Sequence, residues 1–213
     1  MLREEIKSDI IEKMFESVSS NAILFDTLSM FVPRWKGKGT FIVASLLSIA
    51  PAFLAATSPQ TTEIFQNFVQ LVRDVSLAMF GIVFTGYALF QALIGKEMLV
   101  RMLKDTIKEG KQEKSRLQET NELFIKTMMM QFVCIVVSVI LTMLLICIPN
   151  EFNLLKNKCW NELLAFCGIY LFTYISFVTL IEIKSFIFNI FQWFNFHAVA
   201  RLMEMLKDEE GMK

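Results

Sequence analysis

The stretch Val75 to Gly95, VSLAMFGIVFTGYALFQALIG, decides how the chain is read. It carries no charge, and it is as long as the about 20 apolar residues an α-helix needs to cross a bilayer. Ala78, Gly81, Thr85, Ala88, Ala92 and Gly95 stand three, four, three, four and three positions apart. That alternation marks the seam of a left-handed helix pair. Lipid supplies no hydrophobic drive between helices, so close backbone approach across small side chains supplies packing instead. The stretch is expected to be a strut packed on another helix.

Composition agrees. Of 213 residues, 54% are hydrophobic, with 21 Phe and 13 Met, more than a soluble domain carries. Charge is balanced overall but is missing from four long stretches and dense between them. That pattern excludes a soluble globule and a disordered chain. Net neutrality gives no sign of direct nucleic-acid binding. No secretory signal peptide is visible, so the first span is expected to act as its own uncleaved signal.

The expected architecture is all-α: a bundle of four transmembrane helices with an amphipathic N-terminal helix and a cytoplasmic helical hairpin. Residues 1–38 read as cytoplasmic and interfacial helices. Ile6, Ile10, Met14 and Val18 make a stripe on the first of these, and Ala22 to Val32 is a second apolar piece too short to span. The first span covers 39–57, where Ala44, Ser48, Pro51 and Ala55 form a second small-residue seam. This is the expected mate of the 75–95 span. Between them, Ser58 to Asp74 reads as a loop holding a short surface helix.

Residues 96–126 return to high charge and read as a helical hairpin turning near Gly110. Its bases Arg101, Lys104, Lys108, Lys111, Lys114 and Arg116 suit a docking platform for a soluble protein. A solvated connector would look the same. The third span, 127–148, puts Gln131, Cys134, Ser138 and Thr142 on one face. They either bond to a neighbouring helix or line a narrow wet path. The fourth span covers 163–183. Glu182 adjoins its core, as a functional acid or as the mark of the membrane exit. Residues 184–213 form an aromatic-rich tail helix that must bury Phe186, Phe188, Phe191, Trp193, Phe194 and Phe196. Lys and Arg gather at the N-terminus, the middle loop and the tail, so both termini are expected in the cytoplasm.

Catalytic chemistry is poorly supplied. With one histidine, His197, a His-rich metal site within the chain is out, and a serine nucleophile would need that same histidine, with no nucleophile elbow or catalytic carboxylate in sight. His197 is expected at the interface, not as a base. Gly37-Lys38-Gly39-Thr40 has the letters of a phosphate loop in the wrong order. No cofactor or metal is expected, and no enzyme activity. Cys134 and Cys167 read as packing residues, and a Cys147–Cys159 disulfide at one membrane face is an open alternative. Paired intramembrane charges and an internal repeat, the marks of a transporter, are missing. Two functions remain: a non-catalytic membrane protein that oligomerises and anchors or regulates a cytosolic partner, or a pore-forming effector or small channel or transporter that permeabilises the membrane.

In its size, its four spans, its termini on one side and its charged Lys96–Lys126 segment, the chain resembles the membrane subunit of bacterial Kiwa-type anti-phage systems. That subunit works with a soluble DNA-binding partner and senses infection at the membrane. The resemblance implies a homo-oligomer in the bacterial inner membrane, a cytosolic protein partner and a role in antiviral defence. It is architectural and carries over no functional residue.

Overall fold

The computed structural model describes residues 20–32, 38–109, 112–148 and 157–211. The amphipathic helix expected over Leu2 to Ser20 lies, apart from Ser20, outside them. So do Pro33 to Gly37 and the tip of the middle segment, Gly110 and Lys111. In chain order the elements are α1 (Ser20–Ser29), α2 (Lys38–Thr57), α3 (Thr61–Leu93), α4 (Lys96–Lys104), β1 (Thr106–Glu109), β2 (Gln112–Ser115), α5 (Arg116–Cys147) and α6 (Lys158–Gly211). Stretches of α2, α3, α5 and α6 are long and apolar enough to cross a membrane.

The helices pack as two antiparallel pairs, α2 on α6 and α3 on α5. The α2 seam explains the first pair. Ala44, Ser48, Ala52, Ala55 and Ala56 are all buried. Their small side chains let α6 approach, with Ile169 among Ala52, Ala55 and Ala56, and Val178 beside Ala44. Ser45 Oγ and the Tyr170 hydroxyl are 2.7 Å apart across the same contact. The mate of the α2 seam is therefore α6, where the spacing predicted α3.

The α3 helix begins 14 residues earlier than the charge-free stretch suggests. Pro59 cannot continue α2, and the turn is only Ser58 to Gln60, closed by Thr61 Oγ1 donating to the Ser58 carbonyl at 2.6 Å. In place of a loop and surface helix over 58–74 there is one helix of 33 residues, about 50 Å long. Val69, Ser76, Val83 and Phe90 are buried at intervals of seven. This heptad, one face of a left-handed pair, lies against α5.

The middle segment also differs from expectation. Only α4 and the first turns of α5 are helical; between them β1 and β2 form an antiparallel ribbon. Thr106 and Ile107 are β-branched and favour the extended state. Lys108 stands opposite Glu113 in the register, an opposite-charge pair that suits a two-stranded ribbon. At its base the Arg116 amide donates to the Asp105 carbonyl at 2.9 Å, and the Arg116 guanidinium meets the Asp105 carboxylate at 3.2 Å. Helix α5 then starts on a reciprocal cap. The Gln118 amide donates to Ser115 Oγ at 3.2 Å, and the Ser115 amide donates to Gln118 Oε1 at 3.0 Å.

An aromatic cluster fixes this end of the bundle. Phe124 of α5 stacks on Phe90 of α3 at 5.5 Å between centroids and meets Phe186 of α6 edge-on at 5.1 Å. Met102 of α4 and Leu117 are buried in the same cluster. Helix α6 runs unbroken for 54 residues, so the fourth span and the tail are one rod of about 81 Å. Its Phe186 is buried and Trp193 half-buried, whereas Phe188 and Phe191 face outward.

Candidate functional site

Three regions hold the residues singled out from the sequence. The first is the outer face of α3. Ala78, Gly81, Thr85, Ala88, Ala92 and Gly95 are all exposed. A Cβ added to Gly81 or Gly95 would meet nothing within 4 Å. The face extends further back than the charge-free stretch. Asn67, Leu71 and Asp74 continue the same alternation of threes and fours and are exposed too. Helix α3 thus carries two seams on opposite sides, one filled by α5 and one open. The glycine of α3 used inside the bundle is Gly86, where a Cβ would lie 3.1 Å from Ile190 Cδ1. Its place off the repeat hid it in the sequence.

Arg73 and Asp74 give this face an unusual chemistry. Their side chains pair at 3.2 Å, and the Asp74 carboxylate is 71% exposed. Phe65 packs in the cluster formed by Ala52, Ala55, Ala56 and Ile169. Asp74 lies nine residues further along α3, about 13 Å. It therefore sits alongside the apolar turns of α2 and not at their end.

The second region is a polar layer between α5 and α6. Gln131, Cys134 and Ser138 of α5 are buried, as are Thr173, Ser176 and Thr179 of α6. The hydroxyls satisfy themselves locally. Ser138 donates to Cys134 O at 2.7 Å, Ser176 to Phe172 O at 2.8 Å and Thr179 to Ile175 O at 2.9 Å. With the Thr179 proton committed, the Cys134 thiol donates to Thr179 Oγ1 across the interface at 3.2 Å. Thr142 is half-buried and donates to Ser138 O at 2.8 Å. Gln131 is 1% exposed and its Nε2 has no acceptor. An unmade amide bond of this kind costs about 1–3 kcal/mol. Gln131 lines a cavity of about 220 Å³ between α3, α5 and α6. Glu182 is half-buried, further along α6.

The third region is a cleft of about 500 Å³ where α4, the ribbon base, α5 and α6 meet. Arg101 and Arg116, both exposed, line it with Asp105, Glu119, Asn189, Gln192 and Trp193. Of the other bases assigned to docking, Lys104 ends α4, and Lys108 and Lys114 stand on the ribbon. Lys111 lies outside the described residues. Two of the six therefore come together in one concave site.

His197 is no base. Its Nε2 lies 2.8 Å from the carbonyl of Leu93, the last residue of α3. A carbonyl only accepts, so His197 donates and caps the helix end. All four cysteines are free thiols; Cys147, Cys159 and Cys167 are exposed and only Cys134 is buried. Cys167 is thus not a packing residue. Among the described residues no group of His, Cys, Asp and Glu could hold a metal ion.

The outer surface of the bundle is apolar, with Leu46, Phe53, Leu54, Phe84, Leu144 and Leu171 each more than half exposed. A water-soluble monomer rarely shows so large an apolar surface. With four helices long and apolar enough to cross a membrane, this is a multi-pass membrane protein by composition. The chain matches no protein-family model, no curated protein and no solved structure.

Proposed function

We propose that the chain is a non-catalytic membrane protein that self-associates through the outer face of α3 and holds a soluble protein at the α4–ribbon cleft. The observation that carries this reading is the open seam from Asn67 to Ala92 with Asp74 within it. A lipid-facing aspartate costs about 2.5–3.5 kcal/mol at the centre of a span. A second copy packed on the seam removes that exposure and buries eight helical positions against their like. Small residues at Ala78, Gly81 and Ala88 permit the approach.

The pore reading has less support. Gln131 and Ser138 are shut between helices and the Thr142 hydroxyl is bound to its own helix, whereas a pore needs them on a wet axis. The cleft supports the partner reading, because Arg101 and Arg116 offer guanidinium groups beside the Trp193 indole, residue types enriched where proteins dock. The bias of Lys and Arg supports a cytoplasmic position for this end of the bundle. The architectural resemblance to Kiwa-type membrane subunits supports the bacterial inner membrane and a sensor of infection as the setting.

The test is purification of the tagged chain from its native membrane in mild detergent. A multimer with a soluble protein in fixed ratio supports the reading. A monomer without a partner, or ion leakage from liposomes holding the chain alone, counts against it.

A further inference from the structure

We infer that two copies of the chain exchange an ion pair across the open seam of α3, the Arg73 of each copy binding the Asp74 of the other. The inference rests on the self-association reading and adds to it the residues that set orientation and register.

Within one chain the pair is only half used. Arg73 Nε donates to Asp74 Oδ1 at 3.2 Å, and among the described residues neither side chain makes another hydrogen bond. The two terminal guanidinium nitrogens and Asp74 Oδ2 stay open. A guanidinium is a planar fork that can bind carboxylates through several nitrogens at once. The Asp74 side chain is 71% exposed and that of Arg73 35%. Asp74 lies 13 residues past Thr61, where α3 starts at the turn from α2. That is about 20 Å along a helix that crosses an apolar layer about 30 Å thick. At such a depth there is no bulk water to take up the open atoms.

The open atoms call for a carboxylate and a guanidinium together, and a second copy brings both. Two copies inserted the same way are related by a two-fold axis along the membrane normal, so each seam residue faces its own counterpart. Asp74, Gly81, Ala88 and Gly95 stand seven apart, at one position of the heptad. Small residues meet their like there without cost, but Asp74 by itself would meet a second carboxylate. Arg73 is one residue earlier, about 100° round the helix, and its free nitrogens reach the Asp74 of the second copy. Two arginines and two aspartates then close a ring of alternating charge. Asn67, exposed and seven residues before Asp74, holds the same heptad position. Its amide donates and accepts, so it too can pair with its counterpart. A polar residue at such a position fixes register in a parallel helix pair.

The test uses the full-length chain with its natural cysteines replaced and Gly81→Cys added, oxidised in native membranes. Asp74→Arg alone and Arg73→Asp alone should each lower the trapped dimer at least about tenfold, the scale of charge-assisted hydrogen bonds. Co-expressed under different tags, these two variants should form mixed dimers near the level of the unaltered pair, which also shows that both fold and insert. Arg73→Gln, close in size and uncharged, should lower trapping too; trapping that it leaves unmoved would overturn the exchange even if the reversed charges prevent folding. Reversals that trap as well as the unaltered pair, or a mixture that recovers nothing although Arg73→Asp and Asp74→Arg together in one chain trap normally, would overturn the exchange and leave the seam standing. No trapping with Arg73 and Asp74 unaltered would remove the self-association reading itself, and the exchange with it.

Discussion

His197 of α6 donates from Nε2 to the carbonyl of Leu93 at 2.8 Å, so a residue late in the chain holds the end of α3. The bond satisfies a carbonyl that has no helical donor beyond it. Replacing His197 by Ala should cost about 1 kcal/mol and lower the melting temperature by roughly 2–4 °C for a chain of this size. Thermal unfolding in detergent measures it; an unchanged midpoint would mean that the carbonyl finds another donor.

Gly86 and Gly81 are five residues apart and face opposite surroundings. Leucine at Gly86 would push into Ile190, Phe124 and Phe186, an overpacking that typically costs about 1–3 kcal/mol. Leucine at Gly81 meets open space within the chain. Gly86→Leu should destabilise the isolated chain, and Gly81→Leu should leave its melting temperature alone. Equal losses in a monodisperse monomer would show that the inner and outer faces of α3 are wrongly assigned.

The two glycines also show how far the sequence could be read. The four spans were legible because charge vanishes over them, and the α2 seam because Ala44, Ser48 and Ala55 repeat at helical spacing. The partner of that seam was not. Spacing says that a face packs, but only the three-dimensional arrangement says on what, and α2 packs on α6. The early start of α3 was hidden by Arg73 and Asp74, which look like a loop until the turn at Pro59 is seen. The start of α5 at Ser115 was readable as Ser-Arg-Leu-Gln, a cap that needs only those letters. The ribbon had a weak signal in Thr106 and Ile107, outweighed by the charged, helix-forming residues around them. The lone donor on Gln131 could not have been foreseen, since its neighbours on α3 and α6 are distant in sequence.

The Asp26–Lys126 contact ties α1 to α5 at 2.7 Å, with the Asp26 side chain 47% exposed. A pair this open contributes at most about 1 kcal/mol and weakens with salt. Asp26→Asn should speed amide exchange over Ser20–Ser29 and leave the α2–α6 contact protected. Exchange that quickens equally in both would mean that α1 is integral to the bundle.

Cysteine labelling reads the orientation. Cys147 and Cys159 are exposed at the end of the bundle opposite the ribbon, and Cys134 is buried. With the ribbon end in the cytoplasm, an impermeant maleimide added outside should reach Cys147 and Cys159 before the membrane is opened. Cys134 should stay unlabelled until the protein is denatured. Labelling of the first two only after permeabilisation would invert the proposed topology.

Copies of the chain are proposed to meet along the open side of α3. The most direct measurement is disulfide trapping in native membranes, with the four natural cysteines replaced and single cysteines placed at Gly81, Ala88 and, as a control on another exposed face, Leu46. Self-association through this face should give covalent dimers at Gly81→Cys and Ala88→Cys and none at Leu46→Cys. Trapping at Leu46→Cys alone, or at no position, would contradict it.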